Sequence, residues 1–244
     1  MSLATLHGLP PELWELLSRL GEMQLMLPIG LALIAWLAWV GEGGRAALWL
    51  AMLMFAVGVT AASKIAFIGW GIGSARLNFT GFSGHAMHAA AVIPLLAGCI
   101  SAGSTSRVRA LSLALALALA ALVALSRVVI HAHSPSEAVL GFLLGAFASC
   151  VALAFGHPPH SHLPRWLLAT VIAALLLNSS AMPSLPTHDA VTRLALQLSG
   201  REKPYTRSMM LREERLRQRK AQTAVAAPGR RANEVEPPCA SFSA

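Results

Sequence analysis

Charge is scarce in this 244-residue chain: 12% of its residues are Asp, Glu, Lys or Arg, against about 25% in ordinary soluble domains. Acidic residues nearly vanish from the middle, where Glu42 and Glu137 are the only two between Gln24 and Met182. An ordinary soluble enzyme is therefore excluded, and so is a hard-cation site, which needs several oxygen ligands together. Cysteine is sparse too. Cys99 and Cys150 fall in apolar runs and Cys239 near the C-terminus, so neither a disulfide scaffold nor a C-x-x-C metal or redox motif is present. One tyrosine stands beside six tryptophans. Trp36, Trp39, Trp49, Trp70 and Trp166, at or near the ends of apolar runs, suit the aromatic belts of membrane interfaces. The N-terminus lacks a basic stretch, apolar core and small-residue cleavage site in sequence, so no cleaved signal peptide is expected.

Apolar residues are abundant, at 55%. A membrane-crossing helix needs about 20 of them in succession, and stretches near 24–40, 45–63, 85–104, 108–126, 136–156 and 164–182 meet that need. The expected fold is all-α, an integral-membrane bundle of six helices. Residues 1–23 form an interfacial segment, with a helix over Glu12 to Leu17 behind Pro10 and Pro11. The Leu–Ala alternation from Leu111 to Leu119 has the period of a strand, but an unpaired strand cannot cross lipid, so it too is read as helix. Beyond 182, residues 183–200 make an amphipathic surface helix, with Val191, Leu194, Ala195 and Leu198 at helical spacing. Residues 201–244 form a basic, disordered tail whose ten Lys or Arg and five Glu supply +5 of the chain's net +8. Placed beside a membrane core, such a tail implies anionic lipid rather than nucleic acid as its neighbour.

With six spans, the glycine-rich loop from Lys64 to Gly84 and the loop from Ser126 to Glu137 lie on one membrane face. Polar groups concentrate there: Lys64, Arg76, Ser83, His85, Arg127, His131, His133 and Glu137. Cations clamp a polyanion, a Ser-Gly at a helix start offers hydroxyl and N–H donors to phosphate oxygens, and histidines with a carboxylate supply a nucleophile and an acid. This is equipment for phosphoryl transfer. Other polar groups have plainer readings: His88 packs in the bundle, His131 faces away from His133, and His157, His160 and His162 make a solvated turn without an acidic partner. Gly69, Gly71 and Gly73 follow no strand, which argues against a dinucleotide loop. Ser134-Pro135-Ser136-Glu137 is also a capping box for the fifth helix, a structural role compatible with a catalytic one.

Phe82-Ser83-Gly84-His85, followed by Ser126-Arg127-x5-His133-x3-Glu137, resembles the type 2 phosphatidic acid phosphatase superfamily, which includes lipid phosphate phosphatases and vanadium haloperoxidases. The family's motifs are K-x6-R-P, P-S-G-H and S-R-x5-H-x3-D. The third matches in every spacing, with Glu137 for Asp, and the second in three of four residues, with Phe82 for Pro. In the first, Lys64 has Gly71 and Ile72 where the family has Arg-Pro, and Arg76 is the candidate substitute. The resemblance implies a membrane phosphatase acting on a lipid phosphate or an isoprenoid diphosphate such as undecaprenyl pyrophosphate. In it, His133 attacks phosphorus, Glu137 orients His133, and His85 protonates the leaving group. Lys64, Arg127, Arg76, Ser83 and Gly84 bind the phosphate, and no metal or cofactor is needed. It also implies a multi-pass protein of the inner membrane with an extracytoplasmic site, an orientation favoured by Arg45, Arg107, Arg109 and Arg165 on the opposite short loops. Membrane lipids are the expected surroundings, and the oligomeric state is left open. Two alternatives fit the same residues: a noncatalytic lipid-binding or scaffold protein, and a small transporter whose Lys64 and Arg127 line an anion path.

Overall fold

A computed structural model describes residues 10–155, 164, 166–167, 169–173 and 187–225. The described residues are all-helical, as expected, but with eight helices rather than six. They are α1 (Pro11–Arg19), α2 (Met23–Trp39), α3 (Gly43–Trp70), α4 (Gly84–Ile100), α5 (Ser106–Val129), α6 (Pro135–Ala154), α7 (Thr187–Ser199) and α8 (Arg207–Val225). Four segments are long and apolar enough to cross a membrane: α1 and α2 taken together, α3, α5 and α6; α4 is apolar but shorter. The sixth expected span, 164–182, lies largely outside the described residues, apart from helical turns at 166–167 and 169–173. His157, His160 and His162 lie outside them entirely.

Helix α4 is central, packing against α6, α5, α2 and α3. Its buried face is built of small side chains, Ala86, Ala89, Ala90 and Ala91, which let backbones approach closely where lipid offers no hydrophobic driving force between helices. The facing glycines of α6 complete the fit. A Cβ on Gly141 would stand 2.5 Å from the Ser83 carbonyl oxygen, and one on Gly145 would collide with that of Met87. Pro94 lies inside α4 and lacks the N–H that would bond the Ala90 carbonyl. The Ser149 hydroxyl donates to that carbonyl instead (2.9 Å), and the Trp49 indole N–H donates to its neighbour, the Ala91 carbonyl (3.3 Å). Trp36 and Trp49 are therefore core residues, whereas Trp39, Trp70 and Trp166 are exposed as an interfacial role requires. The aromatic belt expected from sequence loses two of its five members to packing.

Helix α3 runs about two turns past the expected boundary, ending at Trp70. It stops at Gly71, whose φ of +73° ends the helix in the left-handed region that glycine adopts without cost. The Gly71 N–H bonds the Phe67 carbonyl (2.8 Å) and the Ile72 N–H bonds that of Ala66 (3.2 Å). Lys64 consequently sits on a helix, not in the loop, and the loop shrinks to 71–83. A tight turn closes within it, Ser74 and Phe79 exchanging backbone hydrogen bonds of 3.0 and 2.9 Å.

The C-terminal segments dock onto the end of α3. Gly69 lets α7 approach, since a Cβ there would stand 3.1 Å from that of Ser199. Phe67, Ile68, Ala195 and Met210 form a small apolar core with Tyr205, Val191 and Leu211 around it. This core accounts for one departure from the sequence reading: residues 207–225, expected to be disordered, form α8. Charge dominates their composition, but Met210 and Leu211 supply an apolar anchor.

Because α4 and α6 touch backbone to backbone at Gly145, Gly145→Val should cost about 1–3 kcal/mol through overpacking. Thermal unfolding in detergent checks this, with Gly103→Val, where a Cβ meets open space, expected to stay near the parent.

Candidate active site

The third motif acquires its shape from the way α5 ends. His131 adopts φ +58°, a left-handed conformation that breaks the helix. The N–H groups of Ala132 and His133 then both bond the Arg127 carbonyl at 3.0 Å. This hook explains the spacing between Arg127 and His133: one residue lies in the last turn of α5, and its carbonyl folds the chain back to present the other. Ser134 caps α6 at once, accepting from the Glu137 N–H (3.4 Å) while the Glu137 carboxylate accepts from the Ser134 N–H (3.1 Å). The expected capping box is present and places Glu137 one turn from His133. The His133 Nδ1 lies 2.8 Å from the Glu137 Oε2.

Glu137 is fully buried, and a buried carboxylate is costly unless its lone pairs are filled. Beyond the Ser134 and His133 bonds, they are filled from two other parts of the chain. The Thr80 N–H (2.7 Å) and hydroxyl (2.6 Å) donate to Oε1. Arg207, at the start of α8, donates to both oxygens at 2.8 Å, and also to the Asn78 carbonyl (3.1 Å) and the Thr80 hydroxyl (3.1 Å). The Ser136 hydroxyl donates to the Leu77 carbonyl (2.7 Å), and the Ser83 N–H to the Glu137 carbonyl (3.1 Å). These bonds bring the two sequence-predicted loops together at one end of the bundle.

The second motif opens α4. Ser83 is its N-cap, yet its hydroxyl caps nothing; it is buried with no partner among the described residues. Gly84 follows, and a Cβ there would stand 4.0 Å from the Lys64 Nζ, so the lysine reaches the positive end of the α4 dipole. Arg127, Lys64 and His133 all lie close enough to His85 to act on it electrostatically. The Arg127 Nη1 donates to the Ser18 hydroxyl of α1 (2.6 Å), while its Nε is buried without a partner among the described residues. Unfilled buried donors are rare in folded proteins. Two of them beside free helix N–H groups and a lysine suit an anion with several oxygens. Burial lowers the His133 pKa below its ordinary value, the Glu137 hydrogen bond and charge oppose this, and the Lys64 and Arg127 cations reinforce it. The net direction is down, which favours the neutral imidazole with its lone pair.

Of the residues named from sequence, His133, Glu137, His85, Lys64, Arg127, Ser83 and Gly84 converge. Arg76 does not join them; it is exposed. It lines a cleft of about 280 Å³ with Tyr205, Glu213, Glu214 and Arg217, none of whose lining residues belongs to the histidine cluster. The sequence reading missed two residues. Thr80 carries no motif signal, and Arg207 is one of many cations in a basic stretch. Among the described residues, no group of three or more His, Cys, Asp or Glu is arranged to hold a metal ion.

Comparison with known proteins places residues 72–158 within the PAP2 superfamily. A Klebsiella pneumoniae protein described as "Uncharacterized 22.5 kDa protein in cps region" is 33% identical over 201 residues, covering 80% of this chain and 96% of that protein. No solved structure matches the chain significantly.

The separation of Arg76 from the cluster has a kinetic consequence. Arg76→Ala should leave kcat/KM for a phosphate ester within about fivefold of the parent, the scale of a surface charge. Lys64→Ala should cost about 10²-fold or more, as loss of a preorganised donor to developing charge does. Steady-state kinetics on the two variants checks both.

Proposed function

Because the chain belongs to the PAP2 superfamily, whose members are generally phosphatases, and has apolar helices long enough to span a membrane, we propose that it hydrolyses a lipid phosphate or isoprenoid diphosphate through a phosphohistidine at His133. The observation that carries this reading is the 2.8 Å contact between the His133 Nδ1 and the Glu137 Oε2. With Nδ1–H committed to a carboxylate, the Nε2 lone pair is the free nucleophile, and the same carboxylate stabilises the positive imidazole that forms on attack.

In the first step the His133 Nε2 bonds to phosphorus as the ester or anhydride oxygen leaves. His85 protonates that oxygen. Water then attacks the phosphohistidine, giving up its proton to His85, and inorganic phosphate departs. Lys64, Arg127, the Ser83 hydroxyl and the α4 N–H groups bind the equatorial oxygens, whose charge the transition state redistributes. The unpartnered Ser83 Oγ and Arg127 Nε supply two of these contacts.

A lipid substrate suits the setting. The bundle's outer surface is apolar, with Leu111, Leu115, Val139, Leu143 and Phe147 exposed, so an acyl or prenyl tail can remain in the bilayer while its head reaches the loops. Arg107 and Arg109 lie at the end of the bundle opposite His133, where α5 begins. The positive-inside rule weighs such short loops above long tails and supports an extracytoplasmic site in a bacterial inner membrane.

The two histidines should differ in kind. His133→Ala should release no phosphate from any substrate, whereas His85→Ala loses only proton donation, about 10²- to 10⁴-fold. An aryl phosphate, whose leaving group needs little protonation, should recover part of the His85→Ala loss and none of the His133→Ala loss. Phosphate release by purified protein from undecaprenyl pyrophosphate, phosphatidate and an aryl phosphate measures this. Equal recovery in both variants would remove His133 from the nucleophile's role.

A further inference from the structure

Arg207 is joined to the catalytic cluster by geometry alone. It lies 70 residues from Glu137 in sequence, in a stretch with no motif, yet one guanidinium nitrogen is 2.8 Å from each Glu137 oxygen. Its other terminal nitrogen donates to the Asn78 carbonyl, so the side chain is held at both ends of the fork. The backbone behind it is anchored as well. The Tyr205 N–H bonds the Ile68 carbonyl (2.9 Å), and the Tyr205 ring packs edge-on to Phe67 and against Gly71. The Thr206 hydroxyl accepts from the Met209 N–H (3.4 Å) at the start of α8, and Met210 is buried in the apolar core at the end of α3.

We propose that Arg207 is a positioning residue for the phosphatase reaction, delivered by the C-terminal segment to Glu137 so that the carboxylate is fixed in place and its charge partly neutralised before His133 acts. The inference rests on the reading of His133 as the nucleophile.

The electrostatic argument follows from what faces His133. Among the described residues, Glu137 on α6 is the anion in contact with it, Lys64 on α3, Arg127 on α5 and Arg207 on α8 are the nearby cations, and His85 on α4 is a further titratable group close by. A lone buried carboxylate would draw a proton onto His133 and leave it as an imidazolium, which cannot attack phosphorus. With Arg207 sharing the carboxylate, Glu137 keeps the hydrogen bond that sets the tautomer but pulls less strongly on the second proton. Removing Arg207 therefore raises the pH at which His133 becomes neutral. A purely structural role for Arg207 would alter stability or α8 packing without moving that pH.

The test reads the His133 imidazole directly in the full-length protein, in detergent. Diethyl pyrocarbonate acylates neutral imidazole, and peptide mass spectrometry isolates the His133 site from the other histidines. In Arg207→Gln the midpoint of the pH dependence should rise by about one unit, the scale of losing one nearby charge. In Arg207→Lys, which keeps the charge, and in Arg219→Ala on the exposed side of α8, it should stay at the parent value. Arg207→Met, neutral and helix-favouring, takes the place of Arg207→Gln if the latter does not accumulate as folded protein. A midpoint unmoved in the neutral variant, or moved as far in Arg207→Lys, overturns the proposal. The midpoint is read without turnover, so a parent that releases no phosphate from lipid substrates overturns the phosphatase reading and leaves this result standing.

Discussion

A single buried carboxylate holds the functional end of this protein together. Glu137 has no exposed surface and accepts hydrogen bonds from the Ser134 N–H, the Thr80 N–H and hydroxyl, Arg207 and His133. These donors come from the start of α6, the 71–83 loop, the start of α8 and the turn after α5. An ionised carboxylate in so dry a place is tolerable only with such a shell, and removal of any one donor exposes the rest to the cost of an unmet charge. The two loops, the C-terminal segment and the histidine are thus tied to one atom pair.

The rest of the bundle can be understood as support for that arrangement. Small residues on α4 and glycines on α6 bring two backbones into contact, which fixes the start of α4, with Ser83 and Gly84, against the start of α6, with Glu137. The Ser83 N–H on the Glu137 carbonyl is the closing bond of that contact. Lys64 approaches from the last turns of α3 and Arg127 from the last turn of α5, so each cation of the cluster is mounted near a helix end. Sites carried by rigid elements hold their geometry better than sites on free loops.

Much of this was legible in the sequence because it is local. The S-R-x5-H-x3-E frame spans little more than one helix end and the next helix start, and its spacing encodes the carbonyl hook, the cap and the one-turn step from His133 to Glu137. Apolar runs marked the helices because lipid imposes length and composition together. What escaped was non-local. Arg207 is indistinguishable in composition from its basic neighbours, and only the docking of Tyr205 and Met210 onto α3 singles it out. The extension of α3 to Trp70 was hidden by a glycine-rich run that reads as loop, although one glycine, Gly71, does the terminating. Trp36 and Trp49 looked interfacial because periodicity places a residue on a face without saying what covers that face.

The central claim is that His133 becomes covalently phosphorylated, and a denaturing alkaline quench during turnover measures it most directly. Protein mixed with a lipid phosphate labelled in its phosphorus and quenched within one turnover should carry label that is stable to alkali and released by acid, as phosphoramidates are, and that maps to the peptide containing His133. Label that persists in correctly inserted His133→Ala protein, or full turnover by the parent with no trapped label at any quench time, would contradict the account.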